Sequence, residues 1–274
     1  MQELATDVIW QNRLEQIDSE VDDIRFIDTV YSVDQDEEWC EIVARGEKRR
    51  IRFHDYTDVF RIPGLYEELF YGRLECCSPS YISNLLNSVV HECGERLDEF
   101  RVLDVGAGNG MVGDELQDLG VRSIIGIDII PAAKEATNRD RPDIYDDYRV
   151  TDLTDLPEAE EESLRRADAN CLTTVAALGF DDIPPLAFAK ALDLIATPGW
   201  IAFNLKEGFL HEQDESGFSR LIRRLNRDGY IQTLCYRRYQ HRISTSGEPL
   251  FYVAVIARKL KDLDDDLLES LQGE

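Results

Sequence analysis

Residues 101–110 read Arg-Val-Leu-Asp-Val-Gly-Ala-Gly-Asn-Gly, an apolar run interrupted by one acidic residue and followed at once by glycines at three alternate positions. Glycine is needed where backbone takes a positive φ or passes close to a ligand, so Gly106, Gly108 and Gly110 mark a loop built for contact. With 102–105 as a buried parallel strand, that loop leaves the strand's carboxyl end, where open α/β sheets bind nucleotides. One short segment thus predicts a layered α/β fold and the end of its sheet at which a ligand sits.

From 101 onward strand and helix patterns alternate, the βαβ signature of a parallel sheet. Candidate strands fall at 101–105, 123–128, 147–150, 169–176 and 200–205. Between the last two, Pro184-Pro-Leu-Ala-Phe-Ala-Lys-Ala-Leu-Asp-Leu-Ile opens with proline and is closed by Pro198-Gly199, as a crossover helix should be. After a helix over 216–228, two β-rich runs at 230–243 and 250–259, joined by Ser-Thr-Ser-Gly-Glu-Pro, predict an antiparallel hairpin. The expected fold class is α/β, a doubly wound, mostly parallel seven-stranded sheet with a C-terminal antiparallel hairpin and a small N-terminal β-containing appendage.

Four regions are expected. Residues 1–60 are the appendage: a short helix carrying Leu4, Val8, Leu14 and Ile17, then a β meander over 24–53. Residues 61–95 are a cap or linker of two helices, the second opening at Ser78 with Pro79 at its first position. Residues 96–260 form the nucleotide-binding domain, and 261–274 an acidic tail.

The net charge of -25 excludes a general affinity for nucleic-acid phosphates or an anionic membrane surface. The 30 basic residues include only 6 Lys beside 24 Arg, against 55 carboxylates, a balance that suits high salt, where screening removes self-repulsion. A halophilic source is therefore expected. The six cysteines form no Cys-x-x-Cys pair, so free thiols and no metal are expected. No apolar run approaches the roughly 20 residues of a membrane span, and no leader pattern opens the chain, which predicts a cytoplasmic protein without membrane contact. One local anomaly opposes the global charge: Arg220, Arg223, Arg224, Arg227, Arg237, Arg238 and Arg242 share their stretch with a single carboxylate, Asp228. They are either a solvated face paired with carboxylates or a dock for an anionic acceptor or partner.

Two frames compete for the glycine loop. Gly108-Asn-Gly110-Met-Val-Gly113 matches the dinucleotide fingerprint, but there the first glycine should leave the strand directly, and here Gly106 does so. Asp128, ending the next strand in Gly-Ile-Asp-Ile, suits a ribose in either frame.

Taken together, 96–259 resembles the class I S-adenosylmethionine-dependent methyltransferases. Val-Leu-Asp104-Val-Gly106-Ala-Gly108-Asn-Gly110 is like their first motif, and Gly-Ile-Asp128-Ile like the acidic end of their second strand. Val-Thr-Asp152-Leu-Thr-Asp-Leu-Pro is like the segment after their third, Pro198-Gly199-Trp-Ile-Ala-Phe like the turn into their fifth, and the hairpin like their sixth and seventh. The resemblance implies S-adenosylmethionine as cofactor. It places Gly106, Ala107, Gly108 and Gly110 around its amino-acid part, Asp128 and Ile129 at the ribose, Asp152 and Leu153 at the adenine, and Val175 beside them. Asp104 either helps hold the methionine end or braces the loop.

The resemblance further implies methyl transfer to an acceptor, expected to be a small molecule. Where amino-methylating relatives carry Asn/Asp-Pro-Pro-Tyr, this chain reads Val175-Ala-Ala-Leu-Gly-Phe-Asp-Asp-Ile-Pro-Pro, a departure that puts adenine-N6 and glutamine acceptors in doubt. Catalytic candidates are His211 and Asp181; for Asp181 and Asp182 capping the next helix is the competing role, and His54, His91 and His241 are weaker. Tyr66, Phe70, Tyr71 and Tyr81 either cover the cofactor or pack on the sheet. A non-catalytic cofactor sensor and a nicotinamide-dependent oxidoreductase are the alternative functions.

Overall fold

The computed structural model describes residues 17–26, 37–179, 182–211 and 216–272. Leu4, Val8 and Leu14 of the expected first helix, and 29–31 of the expected meander, lie outside the described residues.

The first unit is a three-stranded antiparallel sheet, β1 (Val21–Phe26), β2 (Trp39–Ala44) and β3 (Glu47–Arg52). Arg45 and Gly46 both take positive φ, 50° and 77°, as a two-residue hairpin between twisted strands requires. Next come α1 (Tyr56–Arg61), a π-helical segment (Glu67–Arg73) and α2 (Ser78–Glu92). The sequence pattern gives no hint of α1, whose six residues are too few to show a period. The first cap helix also differs from expectation: 67–73 winds with π geometry rather than as an α-helix.

In the main sheet β4 (Arg101–Val105), β5 (Ser123–Asp128), β6 (Asp147–Val150), β7 (Cys171–Thr174) and β8 (Gly199–Lys206) are parallel, and β9 (Ile231–Ile243) and β10 (Pro249–Lys259) form the hairpin. The order is β6-β5-β4-β7-β8-β10-β9, with β10 antiparallel to β8. The chain winds outward from β4 to β6 and returns to β7, so the winding reverses between β4 and β7, and a crevice opens there at the strands' carboxyl ends. The crossovers run through α3 (Met111–Asp118), α4 (Pro131–Asp140), α5 (Glu158–Arg166) and α6 (Pro185–Leu194). Both faces of the central strands are buried, which is why they read as near-continuous apolar runs. Leu103, Leu172 and Ile201 pack toward α5, α6 and α7 (Phe218–Arg227), and Val102, Cys171 and Trp200 toward α2 and α3.

The strand expected at 169–176 is confined to 171–174, because Ala176 takes φ 56° and turns the chain into a loop. The expected acidic tail is also corrected. It contains α8 (Asp265–Leu271), capped where Asp264 Oδ1 accepts from the Leu267 amide at 2.9 Å, with Leu263 and Leu267 buried in the main core. Leucines at four-residue spacing face inward while the carboxylates face solvent. Composition registers only the charge.

The small sheet is pinned to the hairpin by an ion pair between Glu38 and Arg242, each 3% exposed. The second Glu38 oxygen accepts from the Thr245 amide at 2.9 Å. One arginine of the anomalous cluster is thus structural.

Candidate cofactor and acceptor cavity

The loop after β4 takes positive φ at Gly106 (73°), Gly108 (54°) and Gly110 (91°). A Cβ at Gly106 would lie 2.6 Å from the Ala177 Cβ, so only glycine lets this loop meet the segment that follows β7. Above that contact a cavity of about 270 Å³ opens at the carboxyl ends of β4, β5 and β7.

Asp128 forms one wall. Its Oδ2 accepts from the Gly108 amide and its Oδ1 from the Ile130 amide, each at 2.9 Å. Both oxygens are fixed by backbone, yet each keeps a second lone pair, so the carboxylate is pre-oriented to accept from two further donors. Burial raises its pKa, and the Asp182 charge acts in the same direction. Asp152 Oδ1 accepts from the Thr154 hydroxyl (2.7 Å) and amide (2.8 Å), capping the short 3-10 turn Leu153–Asp155 and holding the carboxyl below its ordinary range. Leu153 and Val175 are buried in the wall, and Ile129 stands 57% exposed at the rim.

Three expected site residues do not border the cavity. Asp104, 1% exposed, accepts from the Thr173 hydroxyl on Oδ1 and the Tyr145 hydroxyl on Oδ2, both at 2.7 Å. Burial pushes its carboxyl up to about 6 against the pull of those two bonds. Its position is that of a brace between β4, β7 and the segment carrying Tyr145. Ala107 is buried behind the loop and Gly110 precedes α3.

The roof comes from the N-terminal unit. Tyr56, Phe60 and Tyr66 border the cavity, with the Phe60 ring 5.9 Å from Tyr56 and 5.1 Å from Tyr66. Of the four aromatics read as either covering the cofactor or packing on the sheet, Tyr66 borders the cavity. Phe70 and Tyr71 pack in the core of the small sheet, and Tyr81 stacks on Tyr239 at 4.1 Å. Glu67 clamps the roof to the glycine loop. Its Oε1 accepts from Asn109 Nδ2 (2.5 Å) and Arg141 Nη1 (2.8 Å), all three residues being buried.

His211 is exposed beyond the turn at 207–210 and does not border the cavity, and Asp181 lies outside the described residues. Asp182 does border it, with Oδ2 3.4 Å from Nδ1 of His54. His241 is buried at hydrogen-bond distance from Ser78, and burial lowers its pKa to about 3.

The profile of the methyltransferase domain family matches residues 103–176, which span the glycine loop, Asp128, Asp152 and the end of β7. That match lies within the seven-stranded sheet, over β4 to β7. Among solved structures, a proposed RNA methyltransferase from Pyrococcus horikoshii is similar over 68% of this chain and 87% of its own, at 11% identity and a TM-score of 0.50. An S-adenosylmethionine-dependent methyltransferase from Clostridium acetobutylicum is similar over 72% and 97%, at 10% identity and a TM-score of 0.47. Another, from Methanosarcina mazei, is similar over 60% and 94%, at 14% identity and 0.46. None of the curated proteins matches the sequence.

The charge of the cavity suits the S-adenosylmethionine that the sequence resemblance implies. Among the described residues the lining holds Asp128, Asp152 and Asp182 and neither Lys nor Arg. That charge favours a cationic sulfonium and offers no counter-charge to a dinucleotide pyrophosphate. The arginine cluster does not converge on this cavity. Arg224 and Arg227 pair with Asp228 along α7, Arg238 with Glu207, and Arg242 with Glu38.

Proposed function

We propose that the methyltransferase transfers the methyl group of S-adenosylmethionine to a small-molecule acceptor bound beneath the aromatic roof, in the cytoplasm. The observation that carries this reading is Asp128, held on both oxygens by backbone amides at the mouth of a glycine loop. In this reading Asp128 accepts from the two ribose hydroxyls, with Ile129 against the sugar and base. Asp152 accepts from the adenine amino group beside the Leu153 backbone, with Val175 on the facing wall. Gly106 and Gly108 line the methionine end, Ala107 and Gly110 shape the loop behind them, and Asp104 keeps their strand in place. The region 96–260 is the catalytic domain, and 1–95 supplies the acceptor-side roof. A displacement of methyl from sulfonium needs positioning above all, which a cavity walled on two sides provides.

Calorimetry with S-adenosylmethionine, S-adenosylhomocysteine and NADH in parallel tests the reading. Binding of the first two at about 1 to 100 µM, with no heat from the third, is expected. No heat from either of the first two overturns it, and binding of NADH alone returns the chain to the oxidoreductase alternative.

A further inference from the structure

We propose that Asn204 is a positioning residue for the cofactor wall, holding Ala176 in a left-handed backbone conformation, an inference that rests on the S-adenosylmethionine reading of the cavity. Ala176 follows β7 and borders the cavity together with Val175 and Ala177. Its φ of 56° lies where an L side chain is strained, and such a residue persists only when its surroundings fix it. The turn it makes carries Ala177 against Gly106, where a Cβ on the glycine would lie 2.6 Å from the alanine's own. The group that fixes it stands on β8: the Ala176 amide donates to Asn204 Oδ1 at 2.6 Å. Asn204 is fully buried. Without that acceptor Ala176 should relax toward negative φ and Ala177 swing off Gly106, so the wall loses its shape although the sheet behind it remains.

An asparagine can present either its oxygen or its NH2 group, and a chain of hydrogen bonds behind Asn204 decides which. His241 is kept neutral by burial, so one of its ring nitrogens is an acceptor. With Nδ1 in that role the Ser78 hydroxyl donates to it, and the Tyr239 hydroxyl donates to Ser78 Oγ at 2.6 Å. Asn204 Nδ2 then donates to Tyr239 Oη at 2.7 Å, which leaves Oδ1 facing the Ala176 amide. Reversing the side-chain amide would set its NH2 group against that amide, donor against donor. Ser78, Asn204, Tyr239 and His241 are all buried, so water offers no substitute partner. The chain of bonds begins at the start of α2, crosses the hairpin strand β9 and ends at the cavity wall. Backbone joins its first two stations, since the Cys77 amide donates to the His241 carbonyl at 3.1 Å and the Ile243 amide to the Leu74 carbonyl at 2.8 Å. The bonds that seat the N-terminal segment on the hairpin therefore also shape the cofactor wall.

Asn204→Leu keeps the volume of the side chain and removes the acceptor. S-adenosylhomocysteine affinity, read by calorimetry at a temperature where the variant is folded, should fall about tenfold. A lower melting temperature is expected on losing any buried asparagine, so rescue is the deciding readout. Glycine takes a positive φ without strain. In an Ala176→Gly background, Asn204→Leu should therefore cost less than about twofold in affinity, while the fall in melting temperature persists, because glycine restores the turn and not the lost bonds. Should Asn204→Leu not fold, Tyr239→Phe removes the hydroxyl that orients the amide. It should weaken S-adenosylhomocysteine about threefold, and this loss too should vanish in the Ala176→Gly background. Affinity untouched by Asn204→Leu, or a loss of equal size in the two backgrounds, would overturn the proposal, and the same two results would do so for Tyr239→Phe. If wild type binds neither S-adenosylmethionine nor S-adenosylhomocysteine, it is the cofactor reading that falls.

Discussion

Asp128 and Asp104 end and interrupt adjacent strands, and the protein solvates them in opposite ways. Backbone amides hold Asp128 as an acceptor at the cavity, whereas side-chain hydroxyls satisfy Asp104 behind the loop. Replacing Asp128 by Asn turns one oxygen into a donor that faces a backbone amide, so S-adenosylmethionine affinity should fall by about 2 to 3 kcal/mol, roughly 30- to 150-fold, in a calorimetric titration. The Asp104 carboxyl, raised from 3.8 to about 6, binds its proton more tightly folded than unfolded. Its contribution to stability is therefore full below the unfolded value and is lost as pH rises through the window up to about 6, by about 3 kcal/mol. Denaturant unfolding of wild type and Asp104→Asn across that window should show their stability difference moving in favour of the variant as pH rises. A constant difference would contradict the assignment. Both aspartates are legible in the sequence as acids at a strand's end or middle. Which of them meets the ligand is not, because one residue along a strand changes the face on which a side chain stands.

At the scale of elements, the strands from β4 to β10 are legible because each carries its own period and its own stop signal. The hairpin of β9 and β10 matches its expected bounds to within a residue at each end. The elements missed are α1 and α8, which are short and whose apolar residues have meaning only against a partner surface. α8 illustrates the point: Leu267 is fully buried, yet its neighbours are almost all acidic or exposed. Leu267→Ala should lower unfolding free energy by about 2 to 5 kcal/mol through the cavity it leaves. Because α8 packs on α6 and not on the roof, S-adenosylmethionine affinity measured at a temperature where the variant is folded should not change. A parallel loss of affinity would mean that α8 supports the site. The roof is the functional counterpart: Tyr56 and Phe60 sit on a six-residue helix, Phe60 packs against Ala107 of the glycine loop, and Glu67, through Asn109 and Arg141, ties the roof to the same loop.

For the whole molecule, a net charge of -25 carried by 55 carboxylates with 6 Lys among 30 basic residues predicts strong self-repulsion at low ionic strength. Much of the arginine charge is spent locally, as in the pairs of Arg165 with Glu161 and Asp193. The melting temperature should rise markedly from low salt to about 1 M, where the screening length is about 3 Å. A flat profile would remove the argument for a high-salt habitat.

The sequence by itself determined the parallel sheet, the closing hairpin, the glycine loop and the acid after β5. Each is written in local terms, as a period, a turn residue or a φ that only glycine adopts. Tertiary structure alone decided that Asp104 braces while Asp128 faces the cavity, that an unforeseen helix supplies the roof, and that His54 meets Asp182. Contacts between segments remote in the chain depend on how two units pack, and no period along a single segment records the partner it will bury against.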